Sequence, residues 1–260
     1  MFELTLLEYC ALFSLVAFAG FVDSVAGGGG LITIPTYLAF GVPSELILGT
    51  NKCVSTSGGS LAIYRYLKNG VINFKVMIYA IVTGLIGSSI GTQLSRHLDS
   101  KRMVYLLIVL VPFVLFLNWY KGKSLKKKSD AEVEALSAKQ MILRSSLIGL
   151  IIGCYDGFFG PGTGTFLIIA LVFFMNMNMV EASPNARVVN FTSNITAFVI
   201  FLAKGLILWK VAIVAIVASM FGNHIGSGLV IKGNEKVVKI IFNFVLVGLL
   251  FKSILDLIQQ

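Results

Sequence analysis

Long apolar runs divide this chain, and they limit its fold more than any other feature. They fall at about 4–22, 30–40, 53–67, 71–94, 103–119, 141–155, 165–179, 191–203, 206–230 and 237–258. Several approach the roughly 20 residues that carry a helix across a ~30 Å hydrocarbon core. Inside that core no water is present to satisfy backbone groups, so only helices and closed barrels can span it. The runs are continuous rather than alternating, which argues against a barrel. Composition points the same way: 57% of the residues are hydrophobic and 13% charged, where a soluble domain carries about 25% charged. The expected fold is all-α and transmembrane.

The formal net charge of +9 does not imply a nucleic-acid partner. Its basic residues gather in short segments between apolar runs, most densely in KGKSLKKK at 121–128, as in cytoplasmic loops of membrane proteins. The partner that composition calls for is the lipid bilayer. Cys10, Cys53 and Cys154 stand alone in apolar segments, without metal-ligand spacing, and read as small buried apolar side chains. No motif calls for a metal or another cofactor. Ala17-Phe18-Ala19 resembles a signal-peptidase site, but Glu3 and Glu8 precede it with no Lys or Arg; the first run therefore reads as a retained span.

One pattern occurs twice. An apolar run ends at Asp23 and is followed by Gly27, Gly28, Gly29 and Gly30; another ends at Asp156 and is followed by Gly160, Pro161, Gly162, Thr163 and Gly164. The next apolar segments, near 30–40 and 165–179, are too short to span comfortably. At an offset of 133, rising to 135, further landmarks match: Lys52 with Arg187, Gly70 with Gly205, KNGVINFKV (68–76) with AKGLILWKV (203–211), and GSSIGT (87–92) with GNHIGS (222–227). This order predicts an internal duplication. Residues 1–120 form a first transmembrane repeat, 121–138 a cytoplasmic connector and 139–260 a second repeat. Each repeat has four to five helical elements, with a short or broken helix after its Asp/Gly motif. Basic-residue bias leaves open whether the repeats are inverted or parallel, with a lean toward an outside N-terminus.

Short, glycine-interrupted segments at corresponding places in two halves point to a transporter site. The first turn of a helix exposes unpaired N–H groups and partial positive charge, a natural seat for a small anion. Gly27–Gly30 with Gly160, Gly162, Thr163 and Gly164 are the expected cradle; close helix packing through small residues is the competing reading. Lys52 and Arg187 lie among Asn51, Asn185 and Asn190 and would balance an anion's charge. A buried cation needs a counter-charge, and either an Asp or the bound anion serves. Asp23 and Asp156 are candidates for proton coupling or gating, since burial raises a carboxyl pKa; capping of the following turn is the alternative. Gly87-Ser88-Ser89-Ile90-Gly91 fits a serine-hydrolase elbow out of its structural context. Ser89 also aligns with His224, which raises an intramembrane Ser–His dyad as a rival function.

The segments GFVDSVAGGGGLITIP, GTNK, YDGFFGPGTGTF and NFTSNITAF together resemble the TauE/SafE sulfite-exporter family, also called the four-toluene sulfonate uptake permeases, in its broad subgroup of generic membrane transporter proteins. The resemblance covers nearly the whole chain. It implies a duplicated helical transporter of the bacterial inner membrane, no enzymatic activity, and a small anionic substrate such as sulfite, sulfoacetate or a related sulfonate. Ion-gradient-coupled secondary transport is implied; an uncoupled anion channel is the blander alternative. A homo-oligomer is compatible with the sequence.

Overall fold

A computed structural model describes residues 3–95, 98–99, 101–103, 105–106, 109, 136–232 and 240. Most of the connector expected at 121–138, and the run at 237–258 except Ile240, lie outside the described residues. Eight helices are described: α1 Leu6–Ala26, α2 Gly30–Ala39, α3 Ser44–Lys68, α4 Phe74–Leu94, α5 Ala138–Phe158, α6 Thr163–Phe174, α7 Met179–Ala203 and α8 Trp209–Ile231. No strand occurs among the described residues. Five of the helices, α1, α4, α5, α7 and α8, are long and apolar enough to cross a membrane. At 25 residues α3 has the length too, but it carries Lys52, Arg65 and Lys68. The short elements after the glycine clusters are real helices of 10 and 12 residues.

Local chemistry sets the helix ends. Capping boxes open α1 (Thr5 with Glu8), α5 (Ser137 with Gln140) and α7 (Asn178 with Glu181), each satisfying two first-turn amides. At the far ends, Gly70 and Gly205 take the left-handed conformation that a Cβ would disfavour. Val71 N–H then reaches back to Tyr66 C=O, and Leu206 N–H to Phe201 C=O, closing α3 and α7 with the same Schellman turn.

Helix direction follows from close contacts. A Cβ built on Gly87 would stand 2.2 Å from the Leu150 carbonyl oxygen, and one on Gly91 1.9 Å from that of Cys154; numbering rises together, so α4 and α5 run parallel. Gly222 meets the Ala17 carbonyl and Gly226 that of Phe21, so α1 and α8 are parallel. Gly58 faces Ser219 while Arg65 bonds Ser227, which aligns α3 with α8. Gly84 faces Val189 and the Ser88 hydroxyl donates to Ser193 C=O, which aligns α4 with α7. Gly49 faces Leu206, whereas Gly59 faces Arg187, so α3 and α7 are antiparallel. The long helices therefore form two groups, α1/α3/α8 pointing one way and α4/α5/α7 the other. α3 and α7 meet at the seam between them.

Outer faces are apolar. Val82, Ile86 and Ile90 on α4, and Ile213, Val217, Phe221 and Ile225 on α8, are exposed at four-residue spacing, a stripe suited to lipid. One expectation needs correcting: Cys10 is exposed on α1, not buried, and Cys154 is half-buried. Its place on an outer face explains this, since an apolar side chain loses nothing there by facing lipid.

Inside lipid, helices associate by close packing rather than by hydrophobic expulsion from water, so contacts through glycine carry the α4–α5 seam. Gly87→Ala should lower stability by about 1–3 kcal/mol through overpacking. Gly84→Ala, where a Cβ would find its nearest atoms at 3.7 Å, should be neutral or stabilising. Thermal unfolding of the two purified variants in detergent separates them.

Candidate functional site

The interior of a chain this apolar should hold no charge without a partner. Among the described residues it holds four charges, on four different helices. Asp23 lies near the end of α1, Lys52 a third of the way along α3, Asp156 near the end of α5 and Arg187 a third of the way along α7. All four are buried, with Lys52 and Asp156 each only 1% exposed. They pair crosswise: Lys52 Nζ lies 2.8 Å from Asp156 Oδ1, and Arg187 Nη1 is bonded to Asp23 Oδ2. Each pair joins one helix of the α1/α3/α8 group to one of the α4/α5/α7 group. Both ion pairs thus bridge the seam.

Asn190 connects the pairs. Its side-chain oxygen accepts from Arg187 Nη1 at 3.2 Å and its amide donates to Asp156 Oδ1 at 3.4 Å. The Ser193 hydroxyl donates to Asp156 Oδ2 at 2.5 Å, Arg187 Nη2 donates to Asn223 Oδ1 at 3.1 Å, and the Gly29 amide donates to Asp23 Oδ1 at 3.2 Å. The result is one hydrogen-bonded chain from α2 through α1, α7 and α5 to α3. Its formal charge is zero.

The glycine clusters meet beside this chain. A Cβ on Gly27 would stand 2.3 Å from Gly164 Cα, one on Gly30 3.2 Å from Pro161 Cα, and one on Gly160 2.8 Å from Lys52 Nζ. Gly162 takes φ 81° as it opens α6. The Thr163 hydroxyl donates to Gly160 C=O at 2.7 Å. Asn51 lies against α2, accepting from the Thr33 hydroxyl at 2.5 Å. Asn185 stands apart from the ion pairs: its oxygen accepts from the Asn73 amide, which opens α4, at 2.8 Å, and its amide donates to Glu181 C=O. Thr50, matched to it on α3, accepts from the Leu208 amide, which opens α8, at 2.9 Å.

Three side chains receive the end of α1. Tyr66 donates to Ser24 C=O at 2.8 Å, Ser183 to Val25 C=O at 2.9 Å, and Thr165 to Ala26 C=O at 3.0 Å. A helix ending inside a membrane protein must have its last carbonyls satisfied by protein. These residues, with Ser193 and Asn223, escape a reading by charge and glycine alone. The signal for Ser193 and Asn223 was their position in the polar-rich segments NFTSN and GNHIGS; Tyr66, Ser183 and Thr165 carry none.

The family model for the sulfite exporter TauE/SafE matches residues 12–253. The chain belongs to the TauE/SafE sulfite-exporter family. Among its relatives, a protein of Haemophilus influenzae with the description "Probable membrane transporter protein" is 33% identical over 88% of this chain and 87% of its own. A Sinorhizobium relative with the description "Probable membrane transporter protein ORF9" is 31% identical over 94% and 92%. "Probable membrane transporter protein YfcA" of Escherichia coli K12 is 29% identical over 88% and 82%. No solved structure matches. With five helices among the described residues long and apolar enough to cross a membrane, this TauE/SafE chain is a multi-pass bacterial membrane protein of a transporter family.

The TauE/SafE fold described here also has a cavity of about 600 Å³ at one end of the seam, lined in part by Ser44, Glu45, Leu48, Phe201 and Lys204. Leu48 precedes Lys52 by one turn of α3, so this cavity-lining residue and the buried cation share a helix face. Ser89 and His224 are not brought together. The Ser89 hydroxyl donates to Leu85 C=O within α4, and exposed His224 sits on α8, in the opposite helix group. No group of three or more His, Cys, Asp or Glu residues suited to a metal occurs among the described residues.

Removing one member of a buried pair strands the other and costs about 3–5 kcal/mol, whereas removing both costs far less. Lys52→Met should therefore destabilise strongly, and Lys52→Met with Asp156→Asn should recover half or more of the loss. A double-mutant cycle by equilibrium unfolding in mixed micelles measures this.

Proposed function

We propose that this protein is a secondary transporter of small sulfur-containing oxyanions, coupled to protons and working by alternating access. The observation that carries the reading is the neutral cluster of two cations and two carboxylates at the seam. An anion that enters must compete with Asp23 or Asp156 for a cation. With both carboxylates ionised, a bound monoanion would leave a buried net charge of one, which a low-dielectric interior resists. Protonating one carboxylate restores neutrality and frees its cation for the substrate. Anion and proton then move together, in a direction set by their gradients.

Gly27–Gly30 and Gly160–Gly164 border the substrate position in this reading. Lys52 and Arg187 attract the anion, with Asn190 between them and Asn51 and Asn185 holding the neighbouring helix ends. Either Asp23 or Asp156, whichever gives up its cation, carries the proton.

Alternating access is supported by the correspondence of the halves. Under the offset of 133, rising to 135, α1, α3 and α4 correspond to α5, α7 and α8, and each pair of equivalents runs in opposite directions. We read this as an inverted repeat, the arrangement that lets one half adopt the other's conformation and so move the opening across the membrane. At one end, Leu48 and Phe201 line a cavity. Their equivalents at the other end, Ser183 and Tyr66, are hydrogen-bonded to the end of α1. One side is open and the other latched. With residues 121–128 cytoplasmic, the cavity faces outward.

Proteoliposome flux tests the reading. Labelled sulfite, thiosulfate, sulfoacetate and taurine are supplied with and without an imposed pH gradient. At least one should accumulate above equilibrium under the gradient, and Asp23→Asn should abolish accumulation. Movement that merely equilibrates would indicate a channel or an uncoupled carrier. No movement of any of the four would overturn the substrate class.

A further inference from the structure

Three buried side-chain polar atoms among the described residues lack a hydrogen-bond partner: Tyr37 Oη, Thr56 Oγ1 and Arg187 Nε. Two of these lie on the α3–α7 seam. Arg187 is 3% exposed and Thr56 9%. The guanidinium already commits Nη1 to Asp23 and Asn190, and Nη2 to Asn223. Its Nε–H donates to nothing. That unused edge of an arginine, Nε with its neighbouring Nη, is a fork whose spacing matches two oxygens of an oxyanion.

Thr56 is unusual in this molecule. A hydroxyl inside a helix commonly bonds the carbonyl four residues back. Thr36, Ser57, Thr92, Thr192 and Thr196 all do so here. Thr56 does not, and no other group takes its place. It stands one turn beyond Lys52 on α3 and three residues before Gly59, so the three share a helix face. Gly59 is where α3 touches the guanidinium: a Cβ there would stand 3.0 Å from Arg187 Nη2 and 3.4 Å from Cζ. The face of α3 with the free hydroxyl is therefore the face that runs from Lys52 to Arg187.

The two ion pairs also differ. Asp156 receives Lys52 and Asn190 on one oxygen and Ser193 on the other. Among the described residues, Asp23 receives only Gly29 on one oxygen and Arg187 on the other, and its side chain is the more open, 11% exposed against 2% for Asp156. Asp23 is held by fewer donors.

We propose that the Nε edge of Arg187 and the Thr56 hydroxyl form the oxyanion subsite on the α3–α7 seam, with Asp23 the carboxylate that yields and Lys52–Asp156 the pair that stays closed. The ligand is a small oxyanion presenting two oxygens to the guanidinium edge and a third to the hydroxyl. This deepens, and rests on, the transporter reading above. Thr56 is a specificity-determining contact: it rewards a third oxygen and leaves a carboxylate, with two, under-bound.

Equilibrium binding of radiolabelled sulfite, thiosulfate and sulfoacetate to purified protein in nanodiscs tests this without transport. Wild type should bind at least one of them, and acetate should compete poorly. Thr56→Val should weaken binding about fivefold to tenfold, the loss of roughly one hydrogen bond, and Thr56→Ser should restore it. Arg187→Lys, which keeps the charge and loses the fork, should weaken it tenfold or more. Thr56 is in no ion pair, so its variants carry the test even if Arg187→Lys unfolds. Wild-type affinity in Thr56→Val, or no binding of any of the three by folded wild type that still shows flux, would overturn the subsite and leave transport standing. Thr56-dependent binding without coupled flux would support the subsite and defeat the transport reading.

Discussion

Two ion pairs that cross a helix seam are the constraint on which the rest of this structure depends. A carboxylate or an ammonium alone in a bilayer-embedded interior is too costly to keep ionised, so Lys52 requires Asp156 and Arg187 requires Asp23. Because each pair joins the α1/α3/α8 group to the α4/α5/α7 group, neither group is electrostatically complete without the other. Asn190 makes the two pairs one system by accepting from Arg187 and donating to Asp156. A single side chain therefore links the two pairs. Sites built this way are poor at adding stability and well suited to switching.

Such a centre requires helices that stop inside the protein. α1 and α5 bring their aspartates in from opposite ends, and the backbone must turn there without water. Glycine supplies the close approach, as where Gly27 and Gly164 touch. Tyr66, Ser183 and Thr165 supply donors for the three last carbonyls of α1. The same few residues thus satisfy the broken helix and tie α3, α6 and α7 to its end. Elsewhere, glycines at regular spacing on α4 and α8 let α5 and α1 pack backbone to backbone, which leaves bulky apolar side chains for the outer face.

Much of this was legible in the sequence for a physical reason. Charges and glycine clusters are rare and expensive in apolar runs, so Asp23, Lys52, Asp156, Arg187 and the two glycine stretches stood out. So did the short helices, since nothing else follows such a cluster before a polar turn. The all-α transmembrane class needed only run length. The crosswise pairing was not legible, because sequence order cannot say which Asp faces which cation. Asn185 stands with the site by its neighbours in sequence, yet its side-chain oxygen holds the start of α4, a job that depends on a chain segment more than a hundred residues away. Thr56 looked like any helical hydroxyl; only the absence of its usual bond within the helix distinguishes it. Helix direction came from glycine contacts, on which loop charge is silent.

The central claim is that a bound anion replaces a carboxylate as the partner of a buried cation, and that the carboxylate takes up a proton. Proton uptake during binding measures it most directly. Purified protein in weakly buffered detergent solution is titrated with methanesulfonate, a monoanion with no proton of its own to exchange near neutral pH. The account predicts about one proton taken up per anion bound, as neutrality of a buried site demands, and no uptake in Asp23→Asn. Saturable binding with no proton uptake in the wild-type protein would contradict it.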